Sequence, residues 1–156
     1  MGWPVLMSIG VVALLSWPLS QVDIKEHRLP NPMTLTIIGA GVLLISLDAI
    51  LSGSLGSLIL GLACAGITFG VGFAMAHWNL IGMGDVKLLT GLHLILGYLS
   101  PWLILLSLTA GFLAASMVSL PLLLLGKITA QSNTAMGPHL LRGFFLAVIL
   151  WLTEAV

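Results

Sequence analysis

Long apolar stretches separated by short polar connections run along the whole chain. A helix needs roughly 20 mainly apolar residues to cross about 30 Å of hydrocarbon. Six stretches approach or reach that length, and they cover residues 3–21, 33–51, 55–77, 86–99, 102–125 and 139–152. The fourth stretch is short, so its helix starts earlier, tilts or is sheltered by its neighbours. The pattern predicts an all-α polytopic integral membrane protein with about six transmembrane helices.

The composition indicates the same environment. Of the 156 residues, 59% are hydrophobic and 6% are charged. A soluble domain of this length leaves much of its surface in water and could not hide so much apolar surface. The connections are too short to fold by themselves, which predicts a single membrane-embedded domain over residues 1–156. The first stretch lacks a basic n-region and an A-x-A cleavage site, so it is predicted to be a retained span.

The basic residues predict the orientation of the chain in the membrane. All of them lie in or beside the first, third and fifth connections, and they are Lys25, Arg28, Lys87, Lys127 and Arg142. Under the positive-inside rule these connections are cytoplasmic, and both termini lie on the opposite side. The formal net charge is zero, which gives no reason to expect a nucleic-acid partner. The partner expected from the apolar composition is instead membrane lipid.

Two aspartates are predicted to reach the cytoplasmic face at similar depth. Asp23 follows the first stretch, and Asp85 directly precedes the fourth. Ionisable groups are costly near hydrocarbon unless they are paired or hydrated, so both are candidate functional residues. The alternative is that each is a solvated loop residue beside a lysine or an arginine. Asp48 lies towards the other end of the second stretch and is not expected to join this pair.

The residues before Asp85 suggest close approach of another backbone. Residues 82–85 read Gly-Met-Gly-Asp. Glycine has no Cβ, so a second peptide strand can lie close to its backbone. Gly82 and Gly84 are therefore predicted to contact an extended peptide substrate. The alternative is that they only form the turn into the fourth stretch.

The segment after Asp23 contains two prolines that interrupt a helix. Residues 23–35 read Asp-Ile-Lys-Glu-His-Arg-Leu-Pro-Asn-Pro-Met-Thr-Leu. Pro30 and Pro32 are expected to separate the first helix from the second. Asn31 or Thr34 is predicted to cap the start of the second helix.

Both aspartate segments resemble signatures of one protein family. Residues 29–35 match the [IL]-P-[ND]-x-x-T-L signature that follows an aspartate in type IV prepilin peptidases. Residues 82–89 resemble the G-x-G-D-[VI]-K-L-L signature of the same family. Residues 135–138, Ala-Met-Gly-Pro, are similar to a weaker P-[FY]-G-P element. The first two motifs together are specific to this family, whereas the third alone is weak.

The resemblance implies an integral-membrane aspartic endopeptidase with Asp23 and Asp85 as its catalytic pair. Such enzymes cut the leader from prepilins of type IV pili, or from pseudopilins of type II secretion systems, at the cytoplasmic face of the bacterial inner membrane. Gly82, Gly84, Pro30 and Lys87 are expected at the substrate. The alternative for Lys87 is a basic anchor at the cytoplasmic face. The client, its apparatus, the oligomeric state and the identity of the general base stay open.

The same resemblance implies a short form of the enzyme that works without a cofactor. Longer members have an N-terminal region with paired cysteines and a methyltransferase domain, whereas this chain has a single cysteine, Cys64, and no C-x-x-C. We therefore expect no methyltransferase domain and no zinc. The histidines also lack ligand-like spacing, so no metal site is predicted.

Two other functions remain as alternatives. A catalytically silent paralogue would keep the fold and act as an assembly factor for a pilus or secretion apparatus. A small transporter component would also bury glycines and carboxylates, although it gives no reason for the two motifs to occur together.

Overall fold

A computed structural model describes residues 2–126 and 135–154, and in this part of the chain the regular structure is entirely α-helical. Lys127, one of the basic residues behind the orientation prediction, lies outside the described residues. The six helices are α1 (Trp3–Glu26), α2 (Asn31–Ser52), α3 (Leu55–His77), α4 (Met83–Leu99), α5 (Trp102–Leu124) and α6 (Gly137–Glu154).

The apolar stretches predicted from the sequence correspond one to one with these helices. Helix α3 begins and ends where the pattern places it, while α1 continues five residues beyond residue 21, to Glu26. Helices α1, α2, α3 and α5 are long and apolar enough to cross a membrane. The predicted fold class, an all-α polytopic membrane protein, is confirmed.

Helix α4 lies at the centre of the bundle and contacts the other five helices. It begins at Met83, three residues before the predicted start, and has 17 residues. Residues 91–98 are all buried, so this helix is enclosed on every side rather than on one face. Early start and shelter by neighbours, two of the three explanations for the short fourth stretch, therefore both apply. The enclosed helix fixes the position of Asp85 in its first turn.

Small residues bring α3 and α4 into backbone contact. A Cβ on Gly97 would lie 2.8 Å from the Cβ of Cys64, and a Cβ on Gly61 would lie 2.9 Å from the carbonyl oxygen of Leu94. Close approach of this kind is how helices pack inside a membrane, where apolar side chains gain little by leaving lipid.

We expect Gly97→Ala to lower the free energy of unfolding by about 1–3 kcal/mol, because the added methyl overfills the contact with Cys64. Gly66→Ala on α3 is the matched control, since nothing lies within 4 Å of the position its Cβ would take. Thermal unfolding of both variants in the same detergent tests the difference. A Gly97→Ala protein as stable as Gly66→Ala would contradict the close-packed interface.

Candidate active site

Asp23 lies in the last turn of α1, with its carboxyl group held by the start of α6. Helix α1 ends because His27 adopts a left-handed conformation (φ 50°, ψ 39°), and its N–H donates to the carbonyl oxygen of Asp23. The Asp23 side chain is 4% exposed. Its Oδ2 accepts a hydrogen bond of 2.8 Å from the N–H of Gly137, the first residue of α6. This hydrogen bond satisfies one of the N–H groups that are left without a partner at the start of a helix.

Gly137 has no space for a side chain at this contact. A Cβ there would lie 2.9 Å from Oδ2 of Asp23 and 3.0 Å from Cδ2 of Leu29. Because glycine leaves that space to the carboxylate, the backbone of α6 can approach Asp23 directly. The weak Ala-Met-Gly-Pro element thus has a physical role beside the first aspartate.

Asp85 lies in the first turn of α4, three residues after Gly82, which caps the helix. It precedes the apolar stretch 86–99 and is therefore at the polar end of the helix. Burial, and secondly the negative charge of Asp23, raise the pKa of Asp85 from 3.8 to about 6, while a backbone hydrogen bond from Gly82 opposes the rise. When two carboxyl groups lie close together, one tends to keep a proton while the other is charged. The surroundings of Asp85 therefore make its carboxyl group harder to ionise than a solvated aspartate.

The two aspartates line one cavity of about 470 Å³. Gly82 and His27 also face it. Its other walls are apolar. They come from the α3–α4 connection, from α4 and α5, and from the start of α6 with the residue before it. These apolar residues are Leu80, Ile81, Leu89, Phe112, Met136 and Leu140. The cavity therefore combines a pair of carboxyl groups with walls that suit apolar side chains.

The two glycines of the Gly-Met-Gly-Asp motif have different surroundings. Gly82 lines the cavity beside Asp85. Gly84 instead packs on Leu29, and a Cβ on it would lie 2.9 Å from the Leu29 Cβ and 3.3 Å from the Leu29 nitrogen. Gly84 thereby joins the two aspartate segments. Substrate contact at both glycines stays a prediction, and Gly82 has the position that such a contact needs.

Pro30 and Lys87, also predicted at the substrate, are not among the residues that line the cavity. The Nζ of Lys87 donates a hydrogen bond of 2.8 Å to Oδ1 of Asn31, which ties α4 to the start of α2. Pro30 is the N-cap residue of α2. Direct contact of both residues with substrate stays a prediction, while the hydrogen bond of Lys87 holds the two motifs together.

The predicted capping of α2 by Asn31 or Thr34 is wrong. The N-cap residue is Pro30, and no side chain caps the helix. Asn31 is already the first helical residue, and its side-chain oxygen accepts from Lys87. Thr34 Oγ1 turns back to the carbonyl oxygen of Asn31 at 3.2 Å. Pro32 has no N–H to offer a capping oxygen, which removes one of the usual donors.

Some residues at this site were not singled out from the sequence. His27 is exposed and also faces the cavity. Phe112 and Leu140 belong to long apolar helices and carry no local signal of a site. Gly137 belongs to the weak Ala-Met-Gly-Pro element, and Pro138 after it marks the start of a helix, but neither sign shows that Gly137 meets Asp23.

Side chains that could bind a metal ion are scattered over the described residues. In residues 2–126 and 135–154, no three His, Cys, Asp or Glu side chains are grouped so that they could hold a metal ion. His93 is buried, and its Nδ1 lies 2.8 Å from Oγ1 of Thr68. The titratable side chains among the described residues that line the cavity are Asp23, His27 and Asp85.

Comparison with known proteins identifies the family. The family model that matches the chain is that of the type IV leader peptidase family, over residues 9–119. This segment is more than half of the chain and includes both aspartates, so the chain belongs to the type IV leader peptidase family. The family is one of membrane-bound peptidases. No curated protein and no solved structure matches the chain.

We expect the Asp85 carboxyl group to titrate near pH 6 in the folded protein, since burial and the Asp23 charge both disfavour its ionised form. Infrared difference spectra of the protonated carboxyl band, assigned by its loss in Asp85→Asn, measure the midpoint. In Asp23→Asn the midpoint should fall but stay above 3.8, because the charge is gone while the burial remains.

Glu26→Gln is the control for this titration, because Glu26 is an exposed carboxylate one turn from Asp23 that pairs with Arg28. It should leave the midpoint unchanged. A midpoint that does not respond to Asp23→Asn would contradict the proximity of the two carboxyl groups.

Proposed function

We propose that this protein is an aspartic endopeptidase that removes the leader from type IV prepilins or type II secretion pseudopilins. The observation that supports this most is that Asp23 and Asp85, far apart in sequence and on different helices, line one cavity. The family match supports a leader peptidase, and the paired carboxyl groups supply a hydrolytic mechanism that needs no metal.

In the proposed mechanism Asp23 is the general base and Asp85 is the general acid. Asp23 takes a proton from a water molecule, whose oxygen attacks the scissile carbonyl carbon. Asp85 gives its proton to the carbonyl oxygen, which forms a neutral tetrahedral intermediate. As the C–N bond breaks, Asp23 passes its proton to the amine nitrogen and Asp85 regains one from a hydroxyl group. Each carboxyl group returns to its starting state.

The hydrogen bond from Gly137 supports this division of roles. Asp23 is stabilised as a carboxylate by a backbone N–H at the start of α6. Asp85 is buried, and its pKa is raised by that burial and by the Asp23 charge. A general acid has to hold a proton, and the raised pKa of Asp85 suits that role better than the value of a solvated aspartate would.

The substrate is proposed to bind as an extended strand beside Gly82. The glycine leaves the backbone open next to Asp85, while Leu89, Phe112 and Leu140 offer apolar contacts to the side chains near the cleaved bond. We place this end of the bundle at the cytoplasmic face of the bacterial inner membrane, with both termini outside. The described basic residues support that placement, because they lie at the same end as the aspartates, namely Lys25, Arg28, Lys87 and Arg142.

The proposal is tested by co-expressing a candidate prepilin with the wild-type protein, with Asp23→Asn or with Asp85→Asn. The mass of the prepilin is then measured by mass spectrometry. The leader should be lost with the wild type and kept with either variant, because neither variant has a complete acid–base pair. Glu26→Gln is the control and should cleave normally, since its exposed pair with Arg28 contributes little.

Enzyme levels in these membranes must be equal for the comparison to hold. Cleavage that survives in both aspartate variants would rule out the aspartic mechanism. A wild-type protein that cleaves none of several prepilins and pseudopilins would instead favour the silent assembly factor.

Gly137→Ala should lower kcat/KM for leader cleavage by about tenfold to a hundredfold. The new methyl would displace the Asp23 carboxyl group and cost a charged hydrogen bond of about 1.5–3 kcal/mol. Gly10→Ala in α1 is the control, because no atom lies within 4 Å of its added Cβ. Equal cleavage by Gly137→Ala and the wild type, at equal thermal stability, would contradict the role of this contact.

A further inference from the structure

Helix α1 ends in a backbone conformation that side chains disfavour. His27 follows Glu26, the last residue of the helix, and has φ 50° and ψ 39°. Helices often end in this left-handed conformation, and the residue there is usually glycine, because it has no Cβ to be strained. Glycine would end the helix at a lower conformational cost, so the histidine indicates a use for its side chain.

Positive φ values at residues other than glycine occur next to the cavity that the aspartates line. In residues 2–126 and 135–154 they occur at His27 and at Asn79, which has φ 56°. His27 lines the cavity, and Asn79 directly precedes Leu80 and Ile81, which also line it, although Asn79 itself does not. Strained backbone conformations tend to cluster at functional sites. His27 is the position where such a conformation coincides with a side chain that faces the cavity.

His27 lies at the aqueous end of this cavity. It follows Asp23 by four residues, which places it about 6 Å further from the apolar stretch 3–21. It is also exposed, whereas Asp23 is buried. Phe112 lines the cavity from near the middle of α5, within an apolar stretch. A peptide strand in the cavity therefore meets His27 on the aqueous side of the aspartates and Phe112 on the membrane side.

We propose that His27 binds the leader side of the substrate by hydrogen bonds to its main chain. This assignment rests on the proposed function, because the leader is the part of the substrate released at the aqueous face. A neutral imidazole ring has one nitrogen that donates and one that accepts, so it pairs with a peptide C=O or N–H group. Gly82 and His27 line the same cavity as both carboxyl groups, and a strand bound at both residues lies across them.

The first test is His27→Gly, measured as purified protein with a prepilin that the wild type cleaves. Glycine keeps the left-handed helix end and removes the ring. KM should rise about three- to tenfold while kcat stays within about twofold, because a hydrogen bond made in both the ground state and the transition state is lost. Asn79→Gly is the matched control, since it places glycine at the other positive-φ position, outside the cavity lining, and it should change neither constant.

The outcomes separate this assignment from the proposed function. An unchanged KM in His27→Gly, beside normal cleavage by the wild type, would mean that His27 only ends the helix, and it would overturn the assignment alone. A fall in kcat at unchanged KM would overturn it as well, because the residue would then act on the carboxyl groups. A wild type that cleaves no prepilin refutes the proposed function, and the assignment falls with it.

Crosslinking decides the case in which His27→Gly loses its thermal unfolding transition. His27→Cys is combined with Asp85→Asn, which prevents cleavage, and the prepilin carries one cysteine either in the leader or on the membrane side of the cleaved bond. A disulfide should form with the leader cysteine in preference to the other. Asp85→Asn alone, which keeps Cys64, gives the background. Crosslinking at background level, or without preference for the leader cysteine, overturns the assignment.

Discussion

The constraint on which the structure depends is that a carboxylate inside an apolar bundle must find its partners within the protein. Asp23 meets this constraint through the N–H of Gly137, and that single hydrogen bond joins the end of α1 to the start of α6. The two helices lie at opposite ends of the sequence. The same contact that makes burial of Asp23 tolerable therefore also closes the bundle around the cavity.

The second aspartate depends on a different kind of support. Asp85 is carried by α4, which is enclosed by the other helices and so cannot shift without disturbing the core. Gly84 lets the start of this helix touch the backbone of Leu29, and Lys87 binds Asn31 close by. Rigid placement matters here because proton transfer needs the two carboxyl groups and a water molecule within hydrogen-bond distance.

Much of this arrangement is predictable from the sequence, because it rests on local patterns. Apolar runs define the six helices, and two motifs single out Asp23 and Asp85. The contact between Gly137 and Asp23 is not predictable in this way, since nothing local to either residue tells which end of α6 meets which turn of α1. The capping of α2 was misjudged for a related reason, because the oxygen of Asn31 is taken by Lys87 from another helix.

The two ends of the bundle show how buried carboxyl groups acquire different properties. Asp23 and Asp85 lie together, so their charges interact and one keeps a proton. Asp48 lies at the other end of the bundle and accepts a hydrogen bond from the hydroxyl of Tyr98 on α4. A pair of neighbouring carboxyl groups suits acid–base chemistry, whereas a single carboxyl group bound to a tyrosine hydroxyl ties two helices together. The difference follows from the neighbours, because the three side chains are chemically identical.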